Sequence, residues 1–209
     1  MLSTIIFSTK FVIGIFSAST LTAFLVCFYN NVYFFNPLQN RYQFIKQGQK
    51  IYYTLSSVLG KTIIIYSVLL NRMIDNKIHN IVQTTYNIAL YSIIAEFFYY
   101  LYHRAIHSAQ YYKEYHSNHH ERVDIYPFDT FYIDKIDAMF LLGSIHTPLL
   151  FVRYNYYELG LCLYLYITFA YLAHSNFFTK QHVNHHKLLV CNYCILNPIF
   201  DIICRTYRE

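Results

Sequence analysis

The residues of this chain best suited to chemistry are its histidines, and ten of the eleven lie between His103 and His186. Most of them fall into three boxes with short, regular spacing: His103 and His107; His116, His119 and His120; His182, His185 and His186. On a helix with 3.6 residues per turn, positions i, i+3 and i+4 project from one face. Each box is therefore predicted to present its imidazoles in one direction.

Imidazole is a ligand for iron, zinc, copper and nickel, and it does not suit hard cations such as Mg²⁺ and Ca²⁺. Eight imidazoles exceed what one four-coordinate ion can use, so the three boxes together predict a two-metal site. The alternatives are a pH-responsive cluster, a metal-buffering tract and a structural zinc site. A buffering tract needs no regular spacing and a structural zinc needs four ligands, so the repeated spacing favours two metals.

Long apolar stretches must position these boxes. They cover residues 11–29, 51–70, 81–102, 138–152 and 154–173. Only helices and closed barrels satisfy the backbone in lipid, and these stretches are too long and continuous for barrel strands. The sequence predicts an all-α integral membrane protein with about four to five membrane helices, or with a helical hairpin in place of two of them.

The composition agrees with a single membrane-embedded domain over residues 1–209, since 56% of the residues are hydrophobic and 13% are charged. The net charge of +5 comes from lysines and arginines scattered between apolar stretches, which is typical of short cytosolic loops. Nucleic acid is therefore not expected as a partner. The five cysteines form no secreted disulfide framework and are interpreted as free thiols.

Topology sets a condition on the predicted site. The third box can join the first two only if the chain between Asp137 and His174 crosses the bilayer an even number of times or not at all. The stretches 138–152 and 154–173 are separated by polar residues, which predicts a hairpin that leaves and returns. Basic residues around the boxes, such as Arg104 and Lys187, favour a cytosolic, histidine-lined site.

The order of the boxes, HxxxH followed by HxxHH and a later HxxHH, resembles the fatty acid hydroxylase and sterol desaturase superfamily of membrane-bound, non-haem di-iron oxygenases. Further similar elements are the pair His103-Arg104, the stretch 173–176 with His174, the pair Asn192-Tyr193 and the stretch 200–206. Two glycines of the family pattern are replaced by Cys194 and Arg205. The resemblance implies membrane anchor helices over residues 1–95 and a catalytic region over 96–206.

The resemblance also implies the cofactors, ligands and partners. Two iron ions would be held by nine histidines: His103, His107, His116, His119, His120, His174, His182, His185 and His186. With dioxygen as co-substrate they would oxidise a C–H bond of a sterol or fatty-acyl lipid, by hydroxylation or desaturation. No dinucleotide, haem or iron–sulfur motif is present, so electrons would come from an external b-type cytochrome or ferredoxin. The implied location is the endoplasmic reticulum or a host membrane.

Several polar residues near the boxes have two interpretations. Glu96, seven residues before His103, and Asp201 are either acceptors from ligand imidazoles or simple interhelical polar contacts. Asp137 stands where the family commonly has a glutamate. His146, inside an apolar stretch, is interpreted as a neutral histidine bonded to a neighbouring helix, and His79 as a loop residue.

Two other functions are compatible with a histidine cluster in a membrane protein. One is a metal-binding family member that has lost catalysis, and the other is a metal-ion transporter. A transporter is expected to place its polar ligands near the bilayer midplane, whereas these boxes follow the ends of apolar stretches.

Overall fold

The structure, a computed structural model, describes residues 2–209 apart from the side chains of residues 70–72. It is all-helical over this range, as predicted, and one backbone bridge, between Ile74 and Tyr154, is its only extended pairing. The α-helices are α1 (Leu2–Tyr29), α2 (Arg41–Met73), α3 (Ile81–Ile106), α4 (Ala109–Tyr111), α5 (Lys135–His146), α6 (Tyr156–Ala173), α7 (Gln181–Leu188) and α8 (Ile199–Ile203).

Two of the long helices, α3 and α6, begin at side-chain caps. The side chain of Asn80 accepts a hydrogen bond from the backbone N–H of Gln83 at the start of α3. At the start of α6, Asn155 and Glu158 form a capping box, in which each side chain accepts from the other residue's backbone N–H. Local hydrogen bonds thus fix where these two apolar stretches begin as helices.

Two helices are long and apolar enough to cross a membrane by length and composition: α1 over Leu2–Tyr29 and α2 over Arg41–Leu69. α1 packs on α6, where Ser19 Oγ donates to the Tyr164 carbonyl at 3.2 Å and the hydroxyls of Thr20 and Tyr171 lie 3.0 Å apart. The expected total of four to five membrane helices stays a prediction.

The chain between the second and third boxes forms the predicted hairpin. It consists of α5, a short 3₁₀ turn over Thr147–Leu150, and α6. α3 runs beside both arms: the Tyr91 hydroxyl donates to the Ile145 carbonyl, and the Tyr166 hydroxyl lies 3.3 Å from the Ser92 carbonyl. The start of α5 and the ends of α3 and α6 therefore lie at one end of the molecule, where the histidines are.

The opposite end is held by a buried polar cluster around Glu158. Its carboxylate accepts from Thr84 Oγ1 at 3.0 Å, from Asn87 Nδ2 at 3.0 Å and pairs with His79 Nδ1 at 2.9 Å. His79 lies in the loop after α2, as expected, so this cluster ties that loop to the beginnings of α3 and α6.

Candidate metal centre

Nine histidines converge at the end of the bundle, and they form two groups. Within each group the nitrogens available as ligands lie within 4.8 Å of one another. The five-histidine group contains His103, His107, His116, His120 and His185. The four-histidine group contains His119, His174, His182 and His186.

Each HxxHH box is divided between the two groups, so the expectation that a box faces one way is wrong. The first and last histidines of a box stay together, while the middle one joins the other group: His119 leaves the second box and His185 leaves the third. On a helix, residues i and i+4 differ by about 40° but i+3 and i+4 by about 100°. Adjacent histidines of a box therefore diverge.

The second box also differs from the third in backbone structure. The third box lies on α7, whereas the second spans a π-helical turn, Tyr112–His116, and a 3₁₀ turn, His119–Glu121. The α-helix expected for the second box is thus not formed. The π and 3₁₀ turns nevertheless give the same division of histidines as α7.

The two groups are direct neighbours. The ring centroids of His120 and His186, which belong to different groups, are 4.2 Å apart. Those of His119 and His186 lie 4.7 Å apart within the four-histidine group. Two clusters, each of which could hold a metal ion, therefore lie side by side.

Backbone carbonyls orient three of the imidazoles. Nδ1 lies 2.8 Å from the Tyr193 carbonyl in His103, 2.7 Å from the Cys191 carbonyl in His185 and 2.9 Å from the Ala170 carbonyl in His174. A carbonyl only accepts, so each Nδ1 carries the proton and donates. In the neutral ring, Nε2 then presents a lone pair, as metal-binding histidines do.

Asp137 performs the same task for His116, and sequence reasoning did not identify it as a partner. Its buried Oδ2 accepts from His116 Nδ1 at 2.7 Å, and its Oδ1 accepts from the Tyr102 hydroxyl. The available signal was its position immediately before an apolar stretch, at the place where the family commonly has a glutamate. Its contact with His116 depends on the hairpin and could not be read from spacing.

The donor atoms fit metal ions. Nε2 of His103 and Nε2 of His116 lie 3.2 Å apart. Both rings carry their proton on Nδ1, so neither Nε2 can donate a hydrogen bond to the other. The two lone pairs repel each other unless a cation binds both. Nε2 of His107 and of His185 is buried without a hydrogen-bond partner among the described residues. Buried imidazole nitrogens normally have partners, so these atoms point to bound ions.

Burial keeps these imidazoles neutral, which is the form that binds metal. Removal from water lowers the pKa of His107 to about 3 and that of His174 to about 4. For His119 and His182, burial and then the neighbouring imidazoles hold the pKa well below its ordinary value. Protons therefore do not compete with metal at neutral pH.

Glu96 on α3 accepts from the Tyr166 hydroxyl on α6 at 3.3 Å, which confirms its interpretation as an interhelical polar contact. Glu96 and Asp201 also share a role that neither interpretation described. Glu96 accepts from the backbone N–H groups of residues 195–197 at 2.8 to 3.0 Å. Asp201 accepts from the N–H groups of Tyr193 and Cys194, both at 2.8 Å. In the described part of the chain neither carboxylate accepts from an imidazole. They position the segment whose carbonyls orient His103 and His185.

The turn after α8 contains a departure from the family pattern. Arg205, at a glycine position of that pattern, has a φ of 59°, the left-handed conformation that glycine adopts most readily. Its N–H donates to the Ile202 carbonyl at 3.2 Å. The turn is therefore formed with arginine in place of glycine.

A small cavity of about 40 Å³ opens onto the histidines. It reaches His116 of the five-histidine group and three members of the four-histidine group. Its other walls are mainly apolar and include Ile133, Leu141 and Ala173. Thr130 and Asp137 also border it, so a group that enters the cavity meets the histidines beside a mainly apolar wall.

The remaining candidates lie outside both groups. His146 Nδ1 is 2.7 Å from the carbonyl of Leu142 in its own helix, so its expected bond to a neighbouring helix is wrong. The i−4 carbonyl is simply the nearest acceptor. Cys191 and Cys194 are buried free thiols, as interpreted from the sequence.

Comparison with known proteins agrees with this geometry. No curated protein and no solved structure matches the chain at a significant level. The model of the family described as "Fatty acid hydroxylase" matches residues 88–206, which is more than half of the 209 residues. That family comprises membrane enzymes of the oxygenase and hydroxylase type, and the apolar α1 and α2 agree with membrane association. The chain belongs to the fatty acid hydroxylase family.

Proposed function

We propose that the chain is an O₂-dependent di-iron oxidoreductase that hydroxylates or desaturates a C–H bond of a sterol or fatty-acyl lipid. The observation that carries the proposal is the pair of adjacent histidine groups, in which the unprotonated Nε2 atoms of His103 and His116 face each other at 3.2 Å. Family membership supports the lipid as substrate. The apolar cavity at the histidines supports a C–H bond as the reacting group.

The ligands of this centre are the nine histidines of the two groups. Two iron ions bound there would supply the chemistry of dioxygen activation and of hydrogen removal from an unactivated carbon. The protein holds four of the imidazoles in the metal-binding tautomer through Asp137 and the carbonyls of Ala170, Cys191 and Tyr193. Burial of the ligands excludes bulk water from the oxidising site.

The electrons come from a separate protein, a b-type cytochrome or a ferredoxin, because the chain has no motif for a redox cofactor of its own. Basic residues surround the histidine boxes, among them Arg104, Arg122 and Lys187. This charge supports a site on the cytosolic face of the endoplasmic reticulum or of a host membrane, with an acidic donor docking there.

The test is metal analysis of the detergent-purified chain, followed by oxygen consumption with reductant and candidate lipids. We expect about two irons per wild-type chain, as the ligand count requires. His119→Ala and His185→Ala should both lose lipid oxidation. The first variant removes a ligand of the four-histidine group, and the second removes a ligand of the five-histidine group. Asn184→Ala, on α7 beside His185, is the matched control and should keep metal and activity.

The outcomes also separate the two alternatives. A chain that binds two metals but consumes no oxygen with any lipid is a non-catalytic metal-binding protein. A chain that moves metal across vesicles is a transporter. If either histidine variant oxidises lipid at the wild-type rate, the proposed centre is wrong.

A further inference from the structure

The small cavity at the histidines lies on the side of them that faces the middle of the bundle. Its wall includes Tyr99, four positions before His103 on α3, and Ala170, four positions before His174, the residue that follows α6. Four residues are about 6 Å along a helix, slightly more than one turn. A small molecule in this cavity therefore meets the histidines from the inside of the bundle.

Tyr99 brings to this wall a hydroxyl that is free to donate. The residue is 7% exposed, and its hydroxyl makes no hydrogen bond with the described residues. Unlike the unpartnered hydroxyls of Tyr66 and Tyr154, it is not sealed off from water-sized space. The other hydroxyl on the wall, that of Thr130, donates to the Pro127 carbonyl at 2.7 Å.

Neighbouring rings fix the position of the Tyr99 hydroxyl oxygen. The centroid of the Tyr99 ring lies 4.9 Å from that of His103 and 5.9 Å from that of Tyr102. The Tyr102 ring is in turn held by its hydrogen bond to Asp137. The oxygen of a tyrosine lies in the plane of the ring, so only its hydrogen can turn toward an acceptor.

The cavity wall provides no acceptor for this donor. Its carboxylate, Asp137, accepts from the Tyr102 hydroxyl through one oxygen and from His116 Nδ1 through the other. An almost buried donor without an acceptor costs free energy, so a ligand in the cavity is expected to accept from it. A volume of about 40 Å³ suits a few water molecules or one small anion.

We propose that the Tyr99 hydroxyl donates a hydrogen bond to a small oxygen or nitrogen ligand that binds the metal centre as an anion. This assignment rests on the proposed function, because the ligand is one that metal ions at the histidines would bind. It makes Tyr99 a catalytic residue of the proposed oxidation. A donor fixed in advance beside apolar walls favours the anionic form of the ligand, and Tyr99 keeps its proton throughout.

Packing alone does not require this hydroxyl. The contacts of Tyr99 with His103 and Tyr102 are made by its ring, which phenylalanine would also supply. Ile133, Leu141 and other apolar side chains complete the cavity wall. A hydroxyl that only packs would gain nothing from facing this cavity, and its removal should not change ligand binding.

The test measures azide binding to the iron-loaded, oxidised full chain in detergent by the absorption change on titration. Tyr99→Phe should weaken azide binding about tenfold, the effect of one hydrogen bond to a charged acceptor. Its iron content should equal that of wild type, because Tyr99 is not a ligand. Tyr154→Phe is the matched control, since it also removes an unpartnered hydroxyl, but outside this cavity. It should bind azide as wild type does.

A second measurement separates a hydrogen bond from a change in packing. The infrared stretching band of bound azide responds to an O–H donor, so transfer from H₂O to D₂O should shift the band. We expect this shift in wild type and in Tyr154→Phe, and its loss in Tyr99→Phe. Equal azide affinities of wild type and Tyr99→Phe, or a shift that persists in Tyr99→Phe, would overturn the proposal.

This proposal and the proposed function can fail separately. Azide binding needs neither dioxygen nor lipid, so a chain that binds azide as expected but oxidises no lipid refutes the oxidoreductase alone. If wild type oxidises lipid while Tyr99→Phe keeps both its azide affinity and its rate of oxidation, only the role of Tyr99 is wrong. A chain that binds no iron refutes both.

Discussion

Asp137 differs from the other groups that orient the histidines because it is a carboxylate, whereas His103, His174 and His185 donate to backbone carbonyls. A carboxylate that accepts from Nδ1 makes the opposite nitrogen of the ring a stronger electron donor. His116 is therefore the ligand of the five-histidine group whose strength depends most on another side chain.

Replacing this carboxylate tests its role. Asp137→Asn keeps the shape of the side chain but removes the charge, so the metal affinity of the centre should fall roughly 10- to 100-fold. Competition with a chromophoric chelator measures this change. Asp124→Asn removes the charge of an exposed carboxylate near the second box, and it should leave the affinity unchanged. Equal affinities for Asp137→Asn and wild type would rule out this role.

At the level of single residues, spacing identified eight of the histidines but not their partners. A repeated HxxHH pattern is rare enough to indicate one shared task, and these eight meet in the structure together with His174, which only the family resemblance indicated. A single aspartate such as Asp137 carries no such pattern. Its partner, His116, is 21 positions away and becomes its neighbour only when α5 packs beside the second box.

The segment between α7 and α8 illustrates how elements support the site without touching metal. It contains no regular helix, and its residues Leu189 and Asn192 have positive φ values of 63° and 56°. Glu96 on α3 and Asp201 on α8 hold it by accepting from its backbone N–H groups. The positions of two ligand-orienting carbonyls thus depend on carboxylates from two other elements.

Glu96→Gln should loosen this segment. Three backbone N–H groups converge on the carboxylate, and an amide can offer only one acceptor oxygen, so at least one buried N–H loses its partner. The expected cost is about 1–3 kcal/mol of unfolding free energy. Thermal unfolding gives the total effect, and faster amide exchange at residues 195–197 localises it. The exposed Glu114, changed to Gln, provides the control, and unchanged exchange at 195–197 would contradict the prediction.

At the level of elements, the apolar stretches predicted the long helices well, because burial in apolar surroundings imposes continuous hydrophobic sequence. The second histidine box was predicted less well. Its five residues cover little more than one turn, and such a short motif is compatible with α, π and 3₁₀ structure alike. The contacts of Glu96 could not be predicted, since they depend on the irregular path of residues 189–198.

The whole molecule has two polar ends separated by the length of α3. That helix has 26 residues and is therefore about 39 Å long. The histidine groups lie at one end, and the cluster of His79 and Glu158 lies at the other. The two ends can be perturbed independently.

The cluster of His79 and Glu158 should make the free energy of unfolding depend on pH. The hydrogen bond to Glu158 raises the pKa of His79 above its ordinary value of 6.5. A raised pKa means that protonated His79 stabilises the folded state. This contribution is complete below pH 6.5 and is lost as the pH rises through the folded-state pKa.

The measurement is thermal unfolding of wild type and His79→Gln from pH 5 to pH 9. The metal-site histidines contribute equally to both chains, so the difference between the two chains isolates His79. That difference should be largest at the acidic limit and shrink toward alkaline pH. A difference that stays constant over this range would show that the pair is not coupled to protonation.

The exchange of His119 and His185 between the two groups has a consequence for biosynthesis. Each group contains a histidine from the far side of the hairpin, His185 in the five-histidine group and His119 in the four-histidine group. A nascent chain that has exposed only its first two boxes presents four members of the five-histidine group but only His119 of the other. We therefore expect the second ion of the proposed centre to be inserted only after translation has passed α7 and the hairpin has closed.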